Sequence, residues 1–163
     1  MPISDYLRGM RAKVGHERIL APSVTGIVIN DKGEILLQRV KDDGKWYLPG
    51  GIMDPGEQPA TSMAREIWEE TGLKVIPERI SSVETEPLLI YPNGDQMLYV
   101  SITFACRPVS GTPHPHDDES LEVRYFAPDH MPPLNPQDRQ RIAQALKGDA
   151  RTFFDPNTMD FEE

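Results

Sequence analysis

Residues 51–73 constrain this chain more than any other stretch. They read Gly-Ile-Met-Asp-Pro-Gly-Glu-Gln-Pro-Ala-Thr-Ser-Met-Ala-Arg-Glu-Ile-Trp-Glu-Glu-Thr-Gly-Leu, a glycine-bearing turn that runs into a helix. Pro59 suits a first helical turn, where its missing N–H costs nothing. Ala60, Met63, Ala64 and Ile67 recur at helical spacing and form an apolar stripe. Gly72 supplies the left-handed stop. Beside the stripe, Glu66 and Glu69 are three apart and Glu66 and Glu70 four apart, so three carboxylates share one flank. Like charges at that spacing cost a helix roughly 0.2–0.5 kcal/mol per pair, which a single lysine would relieve. Spacing alone leaves two readings open. One is a solvated acidic face. The other is a site for a hard divalent cation, which takes carboxylate oxygens, waters and substrate phosphates as ligands. Trp68 falls on the far side of the stripe and reads as core.

The whole stretch also resembles a family signature, the Nudix box, G-x5-E-x7-R-E-U-x-E-E-x-G-U with U aliphatic. Gly51, Glu57, Arg65, Glu66, Ile67, Glu69, Glu70, Gly72 and Leu73 fill every fixed position. The match covers about a seventh of the chain, and the flanks, Trp46-Tyr47-Leu48-Pro49-Gly50 before it and an aromatic-ended strand at Tyr125-Phe126, resemble the family too. The resemblance implies a single Nudix domain over residues 1–163, an α/β fold of the α/β/α sandwich type with a central mixed sheet. It implies metal-dependent hydrolysis of a nucleoside diphosphate linked to another group, a small-molecule nucleotide derivative, with an ADP-ribose-like compound favoured. Mg²⁺ or Mn²⁺ would be held by Glu66, Glu69 and Glu70, and Glu57 would join the metal network or hydrogen-bond to it. Arg65 would orient a carboxylate. Family members draw a further acidic residue, a metal ligand or the base, from outside the box. Glu119 is the first candidate and Glu122 the second, against the alternative that both solvate a loop and a strand face. Gly50 and Gly51 would let backbone approach the substrate closely.

Other readings compete. One is hydrolysis of nucleoside triphosphates or dinucleoside polyphosphates. The Leu48-Pro49-Gly50-Gly51 run lacks the glutamine of the Pro-Gln-Gly-Gly version common among dinucleoside-polyphosphate and RNA-cap hydrolases, which lowers that option. Another is a nucleotide-sensing module that does not cleave, and the intact box speaks against it. The last is isopentenyl diphosphate isomerase, a relative with a modified box.

Composition sets the outer bounds. A chain of 163 residues makes one domain with a sizeable core. The formal net charge of −9 disfavours duplex nucleic acid as a partner, while bound cations would still admit an anionic small molecule. No apolar run approaches the ~20 residues of a membrane span. Residues 1–13 lack the apolar centre of a secretory signal, and a lone cysteine, Cys106, forms no internal disulfide. Together these lead to the expectation of a cytoplasmic protein. Cys106 sits in an apolar strand and reads as inert core.

Along the rest of the chain, residues 3–14 read as an amphipathic helix capped by Ser4. Arg8, Arg11, Lys13 and Arg18 give it either a solvated basic face or a contact, with a homodimer partner or with phosphate. Residues 22–30 read as a strand buried on both faces, with residues 35–39 as its hairpin partner. Arg39 is a candidate phosphate contact or a surface salt bridge, and Trp46 a packing residue ahead of a base-stacking one. Residues 80–83 and 88–91 read as extended, with breaks or edges at Pro77 and Pro87. The Asn93-Gly94 turn leads into a central strand over 97–106, and Tyr91 and Asp95 are candidates to border a ligand there. Residues 108–118 read as an exposed Pro/Gly/His loop in which His114, His116, Asp117 and Asp118 form a weak transition-metal candidate. A strand with Leu121, Val123 and Tyr125 on one face and a helix over 137–147 follow. The tail, 148–163, reads as frayed or docked.

Overall fold

The computed structural model describes residues 4–148 and 151–155. In chain order the elements are α1 (Asp5–Val14), β1 (Ile19–Val28), β2 (Ile35–Val40), β3 (Trp46–Tyr47), β4 (Gly50–Ile52), α2 (Pro59–Thr71), β5 (Lys74–Thr85), β6 (Leu89–Ile90), β7 (Gln96–Ser110), β8 (Ser120–Phe126) and α3 (Pro136–Leu146). A mixed five-stranded sheet has the order β4-β1-β7-β5, with β6 paired to β7. Within it β1 and β7 are parallel, and the β4–β1 and β5–β7 pairs are antiparallel. A second, antiparallel sheet runs β3-β2-β8.

Helices cover both faces of the mixed sheet, as an α/β/α sandwich requires. Val24 and Val28 of β1 pack with Met63 and Ile67 of α2, whereas Ile27, one position out of phase, packs with Ile142 and Ala145 of α3. β2 alternates in the same way, with Leu36 in the α2 core and Ile35 and Leu37 in the α3 core. The near-continuous apolar run of β1 is thus explained by burial on both faces. Gly26 sets how closely α2 lies on β1, because a Cβ there would stand 2.6 Å from Ile67 Cδ1 and 3.0 Å from Met63 Cε.

Several expectations need correction. β1 and β2 do not form a hairpin ladder. They meet only at an isolated Ile29–Ile35 bridge among the described residues, and β2 instead pairs with β8 in the second sheet. Trp68 is not core but 44% exposed, edge-on to His116 at 4.9 Å between ring centroids. Leu121 is exposed while Val123 joins the core. The basic residues of α1 are not all solvated. Arg11 donates to Gln96 O at 2.7 Å and Glu17 O at 2.6 Å, and with Leu7 it fastens the helix to the body.

Other expectations stand. Ser4 caps α1 by accepting from Leu7 N. β7 lies inside its sheet and β5 at the edge, with register shifts around Pro77. Cys106 is buried in the α2 core, where burial pushes its thiol up to about 12. Part of the tail docks: Phe153 forms a parallel bridge with Ser82 on the outer edge of β5, which covers backbone groups that an edge strand would leave open. The expected tail contacts of residues 156–163, Phe161 included, lie outside the described residues. No helix among the described residues is long and apolar enough to cross a membrane.

Candidate active site

The box forms the turn and helix read from its sequence. Pro59 occupies the first turn of α2, and Gly72 ends it in the left-handed conformation at φ 69°. The helix turns Met63, Ile67 and Thr71 into the core, and its carboxylates separate by their angle around the axis. Glu66 is 2% exposed and Glu70 8%, while the Glu69 side chain is 46% exposed.

Arg65 is the hub. Its guanidinium forms a two-pronged pair with Glu57, Nε to Oε1 at 2.7 Å and Nη2 to Oε2 at 2.9 Å. Nη1 reaches Glu69 Oε2 at 2.9 Å and Glu66 Oε1 at 3.0 Å. Hydrogen bonding to Arg65 drives the Glu57 carboxyl down to about 2, and Glu57 in turn accepts from the Asp54 N–H of the preceding turn.

Glu70 stands apart from this cluster. Its Oε2 accepts from the Gly50 N–H at 2.9 Å. A side chain at Gly50 would run into the Val24 carbonyl and stand 2.9 Å from Thr25 Cα, so only glycine lets β4 lie this close to β1 with its N–H turned to the helix. Burial pushes Glu70 up to about 8, with further upward pressure from Glu66 and Asp117 against the downward effects of Gln38 and Gly50. Burial also pushes Glu66 up to about 7, and Arg65 only partly offsets it.

Sequence reading missed the groups that hold Glu70. Gln38, 4% exposed, hydrogen-bonds the Glu70 carboxyl, and its Oε1 accepts from Ser120 Oγ at 3.0 Å. Asp117 Oδ1 accepts from the N–H groups of Glu119 and Ser120 at 3.1 and 2.9 Å. The histidine loop is exposed, as its sequence predicts, but it is not free. It is clasped onto the C-terminal end of α2: His114 N donates to Thr71 O, His116 N to Glu70 O, and His116 Nδ1 to Trp68 O. The clasp satisfies carbonyls that a helix end leaves open and brings the start of β8, with Glu119, beside β2. The pairing of β2 with β8 was the signal, and no local spacing displays it.

The other candidates are placed plainly. Glu119 is half-buried next to this loop, and its carbonyl accepts from Lys41 N. Glu122 is engaged by Arg39 at 3.5 Å and Arg124 at 3.4 Å. Arg39 also lies 6.0 Å from the Trp46 ring, which packs edge-on against Phe126 at 4.8 Å. Asp95 is not brought to the box. It accepts from its own turn at Asn93, pairs with His16 at 2.8 Å and Arg11 at 3.5 Å, and so clamps α1 to the β6–β7 turn. It precedes β7 at the far end from Thr103, the residue level with Gly50, by roughly 26 Å of strand. Tyr91 shares a hydroxyl contact of 3.0 Å with Tyr99.

Among the described residues, no three acidic, histidine or cysteine side chains converge as a ready-made cage. The donor set nevertheless fits a hard cation. Its members are carboxylate oxygens, and burial raises both Glu66 and Glu70 above the ordinary carboxylate range, a shift that a cation beside them would oppose.

Known proteins resemble this chain over the same elements. The family model described as the NUDIX domain matches residues 19–146. A MutT-like protein of Streptomyces ambofaciens is 36% identical over 109 residues, 67% of this chain and 65% of that protein. The 8-oxo-dGDP phosphatase NUDT18 of Homo sapiens is 34% identical over 122 residues, 71% of this chain and 35% of the relative. A Bacillus subtilis protein, YjhB, provisionally named an ADP-ribose pyrophosphatase, is 33% identical over 114 residues, 70% of this chain and 53% of its own length. The chain thus spans about a third to two-thirds of the length of these three relatives. Hydrolases with this domain generally work with divalent metal ions. With its box complete across β4, the following turn and α2, and the matched region running from β1 through α3, the chain belongs to the NUDIX domain family.

Proposed function

We propose that residues 1–163 act as one Nudix domain that hydrolyses the pyrophosphate bond of a small nucleotide derivative, with Mg²⁺ or Mn²⁺ bound at the box. The observation that supports this most is a pair of buried carboxylates on one flank of α2, Glu66 held by Arg65 and Glu70 by the Gly50 N–H at the mouth of β4. Cations bound to such oxygens neutralise phosphate charge and lower the pKa of a bound water. The chain's residues do the rest. Glu66, Glu69 and Glu70 are the ligands. Arg65 and Glu57 orient them, Arg65 by charge-assisted bonds that hold Glu66 and Glu69 in place. Gly50 and Gln38 hold Glu70 from the other side. Glu119, at the start of β8 beside the loop clasped onto α2, is the base that takes the proton from the attacking water, ahead of Glu122.

A nucleoside diphosphate joined to a second group, ADP-ribose-like, is the favoured substrate class. Two relatives carry names with a nucleoside diphosphate in them, 8-oxo-dGDP and ADP-ribose, and the box supplies chemistry for the diphosphate, not for a base. A panel of ADP-ribose, 8-oxo-dGDP, ATP and diadenosine tetraphosphate, each with Mg²⁺, with Mn²⁺ and with chelator, tests this. The expected result is metal-dependent cleavage, fastest on ADP-ribose; fastest cleavage of 8-oxo-dGDP would place the substrate among plain nucleoside diphosphates and overturn the joined-group class. Turnover of ATP or diadenosine tetraphosphate alone would overturn the substrate class, and no metal-dependent turnover on any member would overturn the activity.

A further inference from the structure

The loop between β7 and β8 presents two histidines to solvent, His114 and His116. Exposed loop side chains are ordinarily mobile, but these two rings are fixed from several sides. The His114 N–H donates to Thr71 O at 3.1 Å and the His116 N–H to Glu70 O at 3.2 Å, which ties the loop backbone to the C-terminal end of α2. Pro113 and Pro115 restrict the chain on either side of His114. The His114 imidazole lies across Gly72, where any side chain would run into the ring. The His116 ring packs edge-on against Trp68.

Hydrogen bonds also set the tautomers. His114 Nδ1 lies 2.8 Å from Thr112 O, and His116 Nδ1 lies 3.0 Å from Trp68 O. A carbonyl only accepts, so each Nδ1 carries a proton, and in the neutral ring the lone pair sits on Nε2. Neither Nε2 has a hydrogen-bond partner among the described residues. A metal-ligating histidine is held in this way, its other ring nitrogen donating to a carbonyl that sets tautomer and orientation. The two ring centroids are 5.4 Å apart. Two imidazoles that share one tetrahedral ion through bonds of about 2.0–2.1 Å have centroids about 5 Å apart. Capping the helix end uses only the Nδ1 donors, and an asparagine amide would supply those without a second nitrogen.

The surroundings suit a cation, since Asp117 and Asp118 follow His116 directly. Among the described residues no third acidic, histidine or cysteine side chain completes a cage, so water fills the remaining positions. Imidazole suits Cu²⁺, Ni²⁺ and Zn²⁺, whereas carboxylate and water suit Mg²⁺. We propose that His114 and His116 form a second metal site, distinct from the carboxylates of the box, that binds one Cu²⁺, Ni²⁺ or Zn²⁺ ion through the two Nε2 atoms. The site lies on the clasp itself, so a bound ion locks the loop onto α2. It does not depend on what the box cleaves.

The test titrates Cu²⁺ calorimetrically into the full chain in excess Mg²⁺, which competes for carboxylate sites, and records the electron paramagnetic resonance spectrum of the complex. Nitrogen ligands split that spectrum and oxygen ligands do not. One Cu²⁺ per chain with coupling to two imidazole nitrogens is expected. His114→Gln and His116→Gln are each expected to weaken Cu²⁺ by about tenfold or more and to remove that two-nitrogen pattern. His130→Gln, which alters an exposed histidine paired with Asp129, should change neither. Both His114→Gln and His116→Gln should melt with wild type in chelator, because the rings are exposed. No Cu²⁺ binding in excess Mg²⁺, a spectrum without nitrogen coupling, or wild-type affinity in both loop variants would each overturn the site. Nucleotide turnover is measured separately with Mg²⁺ alone, so Cu²⁺ bound by the two histidines in a chain that cleaves nothing would overturn the hydrolase reading and keep this site.

Discussion

Arg65 is surrounded by more carboxylate than it can neutralise. One guanidinium serves Glu57, Glu66 and Glu69, and its planar fork is what makes this possible. Lysine would keep the charge and lose the fork. Arg65→Lys is therefore expected to lower Mn²⁺ affinity and turnover by about 10–100-fold with little change in melting temperature. Mn²⁺ titration followed by electron paramagnetic resonance checks this, and affinity equal to wild type would show that Arg65 orients nothing. At this scale the sequence was informative wherever the residues were helical neighbours. Glu66, Glu69, Glu70 and Arg65 were readable from spacings of one to five. Gln38, Ser120 and Asp117 were not, because Gln38 comes to Glu70 from β2, and Ser120 and Asp117 arrive with the start of β8, which pairs with β2 and brings Ser120 to Gln38 across 82 positions. Asp95 shows the converse error. A hairpin turn near an aromatic invites a ligand, but its carboxylate is already used by Arg11, His16 and Asn93.

Among the elements, α2 depends on two glycines outside it. Gly50 brings β4 to Glu70, and Gly26 lets the helix settle on β1. A methyl at position 26 would press on Ile67 and Met63. Overpacking of this kind typically costs about 1–3 kcal/mol, so Gly26→Ala is expected to lower stability by that amount in urea denaturation, and an unchanged midpoint would contradict the packing described here. The elements themselves were largely legible, since α2, α3 and the core strands follow hydrophobic period and caps. What failed was their pairing. β2 followed a turn after β1 and so read as a hairpin, yet the chain crosses into the second sheet there, where β2 takes β8 as its partner while still filling the same two cores as β1. Trp68 read as core from its position on the helix, but the clasped loop supplies a histidine that lets it stay at the surface.

For the molecule as a whole, the acidic balance of −9 is concentrated in consequence at two buried carboxylates. Burial pushes Glu66 up to about 7 and Glu70 up to about 8, from an ordinary 4.5. A raised carboxyl pKa stabilises the folded state below the unfolded value and loses that contribution as pH climbs through the folded value. Metal-free protein should accordingly melt at lower temperature at pH 8.5 than at pH 5.5, and Mn²⁺ should restore more stability at pH 8.5, where the ligands are deprotonated. Differential scanning fluorimetry with chelator and with Mn²⁺ checks both, and a melting temperature that rises over this window without metal would contradict the burial of these charges. The low value of Glu57, about 2, works in the opposite sense, adding stability above 4.5 that is lost only in strong acid.

The central claim, that this Nudix domain uses its box and a divalent cation to direct water onto a pyrophosphate, is tested most directly by hydrolysing ADP-ribose in ¹⁸O-water with Mg²⁺ and weighing the products. The expected result is AMP and ribose 5-phosphate with a single ¹⁸O in the phosphate of one of them, and no products in chelator. No cleavage with Mg²⁺, or cleavage at the same rate in chelator, would contradict it.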